Sequence, residues 1–158
     1  MEYSVILDLV NTKSEANDLI KQLDGLIESL YEVKGSVESK MNKNLTQELK
    51  EALLKVCRKN KVDLNNAIAF QKFLESLKIA VQKIPLAKLS FAFEPNGDII
   101  KKIASWIAVN LKEKVLIEIE VNPAIIGGLL IEFNGNYKDY SLRNKLSDFF
   151  KNRELLLN

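Results

Sequence analysis

Three carboxylates offer the first candidate for chemistry. Glu118 and Glu120 stand two apart in an alternating stretch, so a strand puts both on one face, and Glu132 in a second alternating stretch can join them. Paired carboxylates can divide general acid and general base work between them. Nothing convergent accompanies this trio. The chain has no histidine, which removes the commonest general base, the usual nucleophile triads and most zinc sites. The single cysteine, Cys57, therefore has no imidazole to activate it, and it reads as a small core residue. No Gly-x-x-x-x-Gly-Lys-Ser/Thr run occurs, and Gly127-Gly128 leads into a strand rather than a helix N-terminus, so a phosphate cradle is not supported. The carboxylates read as a solvated sheet face. The expectation is a non-enzyme with no catalytic residue, metal ligand or cofactor.

The elements that carry these glutamates occupy residues 114–146. Val115, Ile117, Ile119 and Val121 alternate with Leu116, Glu118 and Glu120, the period of a half-buried strand. Asn122-Pro123 ends it, since proline cannot donate to a ladder and restrains the residue before it. After Gly127-Gly128, a step that suits a bulge or a close backbone approach, Leu129, Ile131 and Phe133 begin a second alternation. Asn134-Gly135 is a strong hairpin signal, because a type I′ turn needs positive φ at both central residues. A short return strand at Tyr137–Asp139 follows, and Ser141 is placed to cap a last helix burying Leu142, Leu146 and either Phe149 or Phe150.

This order of residues resembles the C-terminal signature of the ATP synthase δ subunit family, called OSCP in mitochondria. The resemblance rests on Asn122, Pro123, Ile125, Ile126, Gly127 and Gly128, then Gly135, then Asp139, Ser141, Lys145 and Leu146. The chain departs from the pattern at Asn122, where the family usually has aspartate, and at Tyr140, where it usually has glycine. The resemblance spans roughly residues 46–150 and is strongest from 114 to 146. It implies a subunit of the peripheral stalk that joins the catalytic head to the b-type stalk helices, so that rotor torque does not spin the head. It implies b-type stalk subunits and α subunits of the head as partners. It also implies a peripheral position at the cytoplasmic face of the cell membrane, reached only through those partners. The family's helical N-terminal domain has about a hundred residues and six helices, whereas this chain has 85 residues before its sheet.

Upstream, the pattern is helical. Met1–Val10 alternates Tyr3, Val5, Leu7 and Leu9 over too short a run to separate a strand from a helical turn. Thr12 or Ser14 can then cap a helix with Glu15 near its start. Ala16, Leu19, Leu23, Leu26, Leu30, Val33 and Val37 follow heptad spacing to Lys40, which predicts one helix of about 40 Å with an adhesive seam, weakened at Gly25 and Gly35. Two readings of the seam over 12–41 stand: a face packed on its own domain, or a coiled-coil contact with a partner helix. Asn44 or Thr46 opens the next helix, whose stripe is Leu49, Ala52, Leu53, Val56 and Cys57. Asp63 is placed to cap a third, burying Leu64, Ile68, Phe73 or Leu74, Leu77, Val81 and Ile84 before Pro85. Leu89, Phe91 and Phe93 then mark a strand and Pro95-Asn96-Gly97 a turn. Asp98 is placed to cap a helix carrying Ile99, Ile100, Ile103, Ile107 and Leu111 on one face, bordered by Trp106.

The expected fold is α+β, with a helical region over 1–85 and a β-α-β-β-β-α unit over 86–158 whose first crossover is parallel. The chain has 158 residues, 47% hydrophobic and 28% charged, with a net charge of +2, the profile of a soluble globular protein. No basic patch interleaved with aromatics occurs, so nucleic acid is not implied. Apolar runs fall short of the ~20 residues that span a bilayer, Glu2 and Asp8 argue against a signal peptide, and one cysteine fits a reducing cytoplasm. A small RNA-binding or other protein-interaction module is the alternative reading, and an enzyme acting through its carboxylates is the third. Against RNA stand the missing Gly-x-x-Gly loop and the missing aromatic pair on a strand.

Overall fold

The computed structural model describes residues 2–143, 146, 147 and 149, the side chain of Leu111 excepted. The chain divides into two compact units, Met1–Ile84 and Pro85–Asn158. Lys145 and Phe150, both weighed above, lie outside the described residues.

In the first unit five helices are described: α1 Ser4–Leu7, α2 Lys13–Leu30, α3 Val37–Asn44, α4 Gln47–Lys59 and α5 Ala67–Gln82. The opening alternation is thus a helical turn, and it sinks Ile6 and Val10 into the core. Thr12 caps α2 in a full capping box: its hydroxyl accepts from the Glu15 N–H at 3.2 Å, and the Glu15 carboxylate accepts from the Thr12 N–H at 3.0 Å.

The long front helix predicted to Lys40 is two helices. α2 stops at Leu30, Gly35 takes φ +100°, and Ser36 caps α3 through the Ser39 N–H. Lys40 makes the break, since its buried side chain returns its ammonium to the carbonyl of Glu32 at 2.8 Å and that of Leu30 at 3.4 Å. Gly25 lets α3 approach α2, because a Cβ there would stand 3.0 Å from Asn44 Oδ1. The seam is spent within the unit: Leu19, Leu23 and Leu26 are buried, α2 packs on α3 and α5, Leu30 and Val37 are half-buried, and Val33 is fully exposed between helices. A fully buried leucine cannot also grip a partner helix, so the coiled-coil reading of 12–41 is corrected here.

α4 buries Leu49, Ala52, Leu53, Val56 and Cys57, the stripe read from its 3.6-residue period. α5 starts later than predicted. Asn66, not Asp63, caps it through the Ala69 N–H, while Asp63 turns the preceding loop by accepting from the Asn65 N–H. That start brings Phe70 into the core with Phe73, Leu74, Leu77 and Val81, and leaves Ile68 exposed. Tyr3 stacks at a tilt on Phe73, with ring centroids 5.7 Å apart, and Lys78 pairs with Asp24 between α5 and α2.

The second unit is built on β1 Leu86–Phe91, α6 Gly97–Leu111, β2 Leu116–Val121, β3 Leu129–Phe133 and β4 Asn136–Asp139. The sheet order is β2-β1-β3-β4, with β1 and β2 parallel across the α6 crossover and the other pairings antiparallel. Asn96, one residue ahead of the predicted turn's end, caps α6 through the Ile99 N–H in place of Asp98. The core holds Ala87, Leu89, Phe91, Ala104, Ile107, Val115 and Ile117, with Ile99, Ile100 and Ile103 packed against it. Trp106 and Phe93 stay more than half exposed. Burial falls along β2, so Leu116 is buried at its start and Val121 is exposed at its end, against the strict alternation expected. Asn134 and Gly135 both take positive φ, 49° and 73°, as the hairpin turn requires.

Leu23 is the measure of the corrected seam. Leu23→Ala should lower the unfolding free energy of the helical unit by about 2–5 kcal/mol with no partner present, because it empties a fully buried site. Denaturant unfolding followed by circular dichroism checks this, and an unchanged midpoint would return the residue to an external seam.

Candidate functional site

The carboxylates resolve first. Lys88 on β1 stands in register with Glu118 on β2 and Glu132 on β3, and its ammonium pairs with Glu120 at 2.9 Å. Glu120 also accepts from the Ser90 hydroxyl at 3.2 Å. The hydrogen bond and charge of Glu120, helped by Glu118 and Glu132, raise the Lys88 pKa, and Lys88 in turn holds Glu120 below its ordinary value. A carboxylate held ionised by a surface lysine is a poor proton donor, so Glu120 is an ion-paired residue of a sheet face that also carries Glu118 and Glu132. Excess negative charge there also repels phosphate, which disfavours the RNA reading. Lys88 was legible only through the strand register. Cys57 is buried and its thiol is pushed up to about 12, far from a thiolate at neutral pH. Among the described residues, no group of three or more His, Cys, Asp or Glu could hold a metal ion.

The structure instead brings together the residues of the 122–146 motif. Asn122 ends β2: its N–H donates to the Phe91 carbonyl at 2.7 Å and its side-chain oxygen accepts from the Ala124 N–H at 3.0 Å. An aspartate makes the same Asx turn, so the departure at Asn122 keeps the geometry. Pro123 follows, Ile125 is buried, and Gly127 and Gly128 take φ +65° and +83°. At Gly128 the chain crosses the segment that leaves β4. A Cβ on Gly128 would stand 2.3 Å from the Tyr140 carbonyl oxygen and 3.0 Å from Ser141 Cα, and one on Gly127 would stand 2.7 Å from Leu142 Cδ1. Only glycine fits both the φ and the space.

Three consecutive amides pin the other side of this crossing. The Tyr140 N–H donates to the Leu129 carbonyl at 2.9 Å, the Ser141 N–H to Asp139 Oδ1 at 2.7 Å, and the Leu142 N–H to the Gly127 carbonyl at 3.1 Å. Hydrogen bonding from Ser141 holds the Asp139 carboxyl below its ordinary value. Ser141 is 3% exposed although its neighbours on either side are exposed. Tyr140 is not among the positive-φ residues, so the backbone does not require the glycine expected there.

Each unit also carries a surface suited to contact. Helical backbone follows Ser141, at Leu142, Arg143, Leu146, Ser147 and Phe149. Leu142, Leu146 and Phe149 were expected to be buried, but they are 50%, 45% and 59% exposed. In the first unit a groove of about 470 Å³ runs between α1 and α4, with Val5, Leu9, Ala52 and Leu54 at its apolar wall and Glu48, Glu51, Lys55 and Arg58 around it. Of the predicted motif residues, the structure gathers Gly127, Gly128, Asp139 and Ser141 around one crossing, while Asn122 and Pro123 close β2 ahead of it. Gly135 lies in the hairpin turn and Leu146 on the exposed face.

A family model described as "ATP synthase delta (OSCP) subunit" matches residues 6–152, well beyond the stretch that carried the sequence resemblance. The ATP synthase subunit delta of Flavobacterium johnsoniae is 27% identical over 162 aligned positions, covering 89% of this chain and 88% of the relative. That of Stutzerimonas stutzeri is 34% identical over 73 positions, covering 46% of this chain and 41% of the relative.

The crossing sets a direct test. Gly128→Val should cost at least about 1–3 kcal/mol, from positive φ and from contact with the Tyr140 carbonyl. A thermal melt matching the parent would show that the two backbone segments separate freely.

Proposed function

The chain belongs to the ATP synthase delta (OSCP) subunit family, and from that premise we propose that it holds two partners on two separate apolar surfaces, one on each unit. It is a non-catalytic peripheral-stalk subunit of an F-type ATP synthase, a membrane-associated complex. Among the described residues no helix is long and apolar enough to cross a membrane, and the proposed attachment is through partners at the cytoplasmic face. The proposed partners are a b-type stalk helix on Leu142, Leu146 and Phe149, and an apolar tail of the α subunits in the α1–α4 groove.

The single observation that carries the stalk contact is the exposure of Leu142 and Leu146 just beyond the crossing. Full burial of such side chains contributes about 1.5–3 kcal/mol each, and this chain leaves much of that gain unmade. A stator needs contact of this kind: it must resist torque while doing no chemistry. The buried thiol and the ion-paired glutamates are consistent with that division of labour.

Leu146→Lys with Phe149→Lys should leave both units folded and abolish co-purification of the b-type stalk subunit from membranes. Circular dichroism and mass spectrometry of the captured complex check it. Undiminished capture of the stalk subunit would place its site elsewhere on the chain.

A further inference from the structure

We propose that the turn between α2 and α3 is a hinge with a second, extended state, in which residues 13–44 form one helix and two copies of the chain exchange α1 and α2, and that Lys40 is the latch holding the closed state. The sequence accommodates both states. The heptad steps of Leu19, Leu23, Leu26, Leu30, Val33 and Val37 run through the turn without a break, and the next step is Lys40 itself. No proline occurs before Pro85, so no residue of the turn forbids a helix there. Particular contacts must therefore hold the closed state. Gly35 takes φ +100°, which helical backbone does not use, and Val33 is left fully exposed in the middle of the pattern.

Lys40 discriminates between the two states through the acceptors that each leaves free. With α2 ending at Leu30, the carbonyls of Leu30 and Glu32 receive no helical N–H, and the buried ammonium takes both. In one continuous helix the N–H groups of Lys34 and Ser36 would take those carbonyls. The ammonium would stay on the seam beside the same turn of α2, now the second copy's, with both acceptors lost. A buried charge without partners is costly, so the lysine disfavours exchange. A second copy is the occupant because exchange keeps the other contacts of the unit. α2 packs on α3 and α5, and in the exchanged dimer it packs on the same helices of the second copy. Leu19, Leu23 and Leu26 stay buried, and only the chain that covers them changes. New contact arises at the hinge alone, where Leu30, Val33 and Val37 of two extended helices meet across a two-fold axis.

The test uses the full chain, with mass from light scattering and zero-length carbodiimide coupling read by mass spectrometry. The parent should be a monomer. Lys40→Met should lower the dimer dissociation constant by about a hundredfold, because the charged hydrogen bonds contribute about tenfold per chain and each dimer opens two hinges. Gly35→Ala should act in the same direction, since alanine disfavours the positive φ and favours the helix. Its new Cβ would stand 3.9 Å from its nearest neighbour, Ser39 Oγ, so this variant carries the test even if Lys40→Met fails to fold. Asp24 on α2 pairs with Lys78 on α5, so coupling should join two chains in the dimer and stay within one chain in the monomer. Adding Val33→Pro should return either variant to the monomer, because proline interrupts a helix interior. Monomers throughout would overturn the hinge, as would a dimer whose Asp24–Lys78 link stays within one chain or one that survives Val33→Pro. Exchanged dimers from Gly35→Ala alone, or from the parent, would overturn the latch and leave the hinge standing.

Discussion

The contact of Gly128 with the Tyr140 carbonyl is the constraint on which the second unit's functional end depends. Two backbone segments, one entering β3 and one leaving β4, meet there without side chains between them. Left-handed φ at Gly127 and Gly128 turns the chain into the crossing. The hairpin at Asn134-Gly135 returns β4 alongside β3, and so brings Tyr140 back over the glycines. The amides of residues 140 to 142 then have fixed acceptors, and the start of the last helical stretch is tied to the sheet. The Asx turn at Asn122 serves the same end from the other side, closing β2 and delivering the chain to Ile125 and the glycines.

The helical unit solves a different problem with a similar device. Its front sequence carries a seam longer than its own core can use, and Lys40 divides it. The cost of burying an ammonium is offset by two carbonyls at the end of α2, which themselves need donors. The break lets α3 fold back beside Gly25, and α2 spends Leu19, Leu23 and Leu26 on α3 and α5. Exposed Val33 marks where the seam pattern outlasts the helix.

Much of this was legible from residue types. Period-two alternation located β1, β2 and β3, although only β1 alternates in its burial, and period 3.6 located the α4 stripe, where one face meets a core and the other meets water. The turn at Asn134-Gly135 was legible because few other pairs accept its dihedrals. The starts of α5 and α6 were not. Asp63, Asn65 and Asn66 all have capping chemistry, and only packing of Phe70 selects Asn66; Asn96 and Asp98 pose the same choice. The front seam misled because heptad spacing describes any helix buried between two neighbours, whether or not they belong to the same chain. The outward face of Leu142, Leu146 and Phe149 was illegible for the converse reason: an amphipathic pattern records that a face is apolar, not what covers it. The acceptors of residues 140 to 142 were hidden as well, since Gly127 and Leu129 reach them only through the hairpin.

Across both units the chemistry is that of contact. The thiol is buried, Glu120 is ion-paired to Lys88, and apolar side chains are left exposed at Leu142 and Leu146 and along one wall of the groove. The most direct measurement is site-specific photo-crosslinking in the assembled, membrane-bound ATP synthase, with the crosslinker placed at Leu146 and, for comparison, at Ile68 on the exposed side of α5. The account predicts a product joining Leu146 to a stalk subunit and no such product from Ile68. A stalk product from Ile68 but none from Leu146 would contradict it.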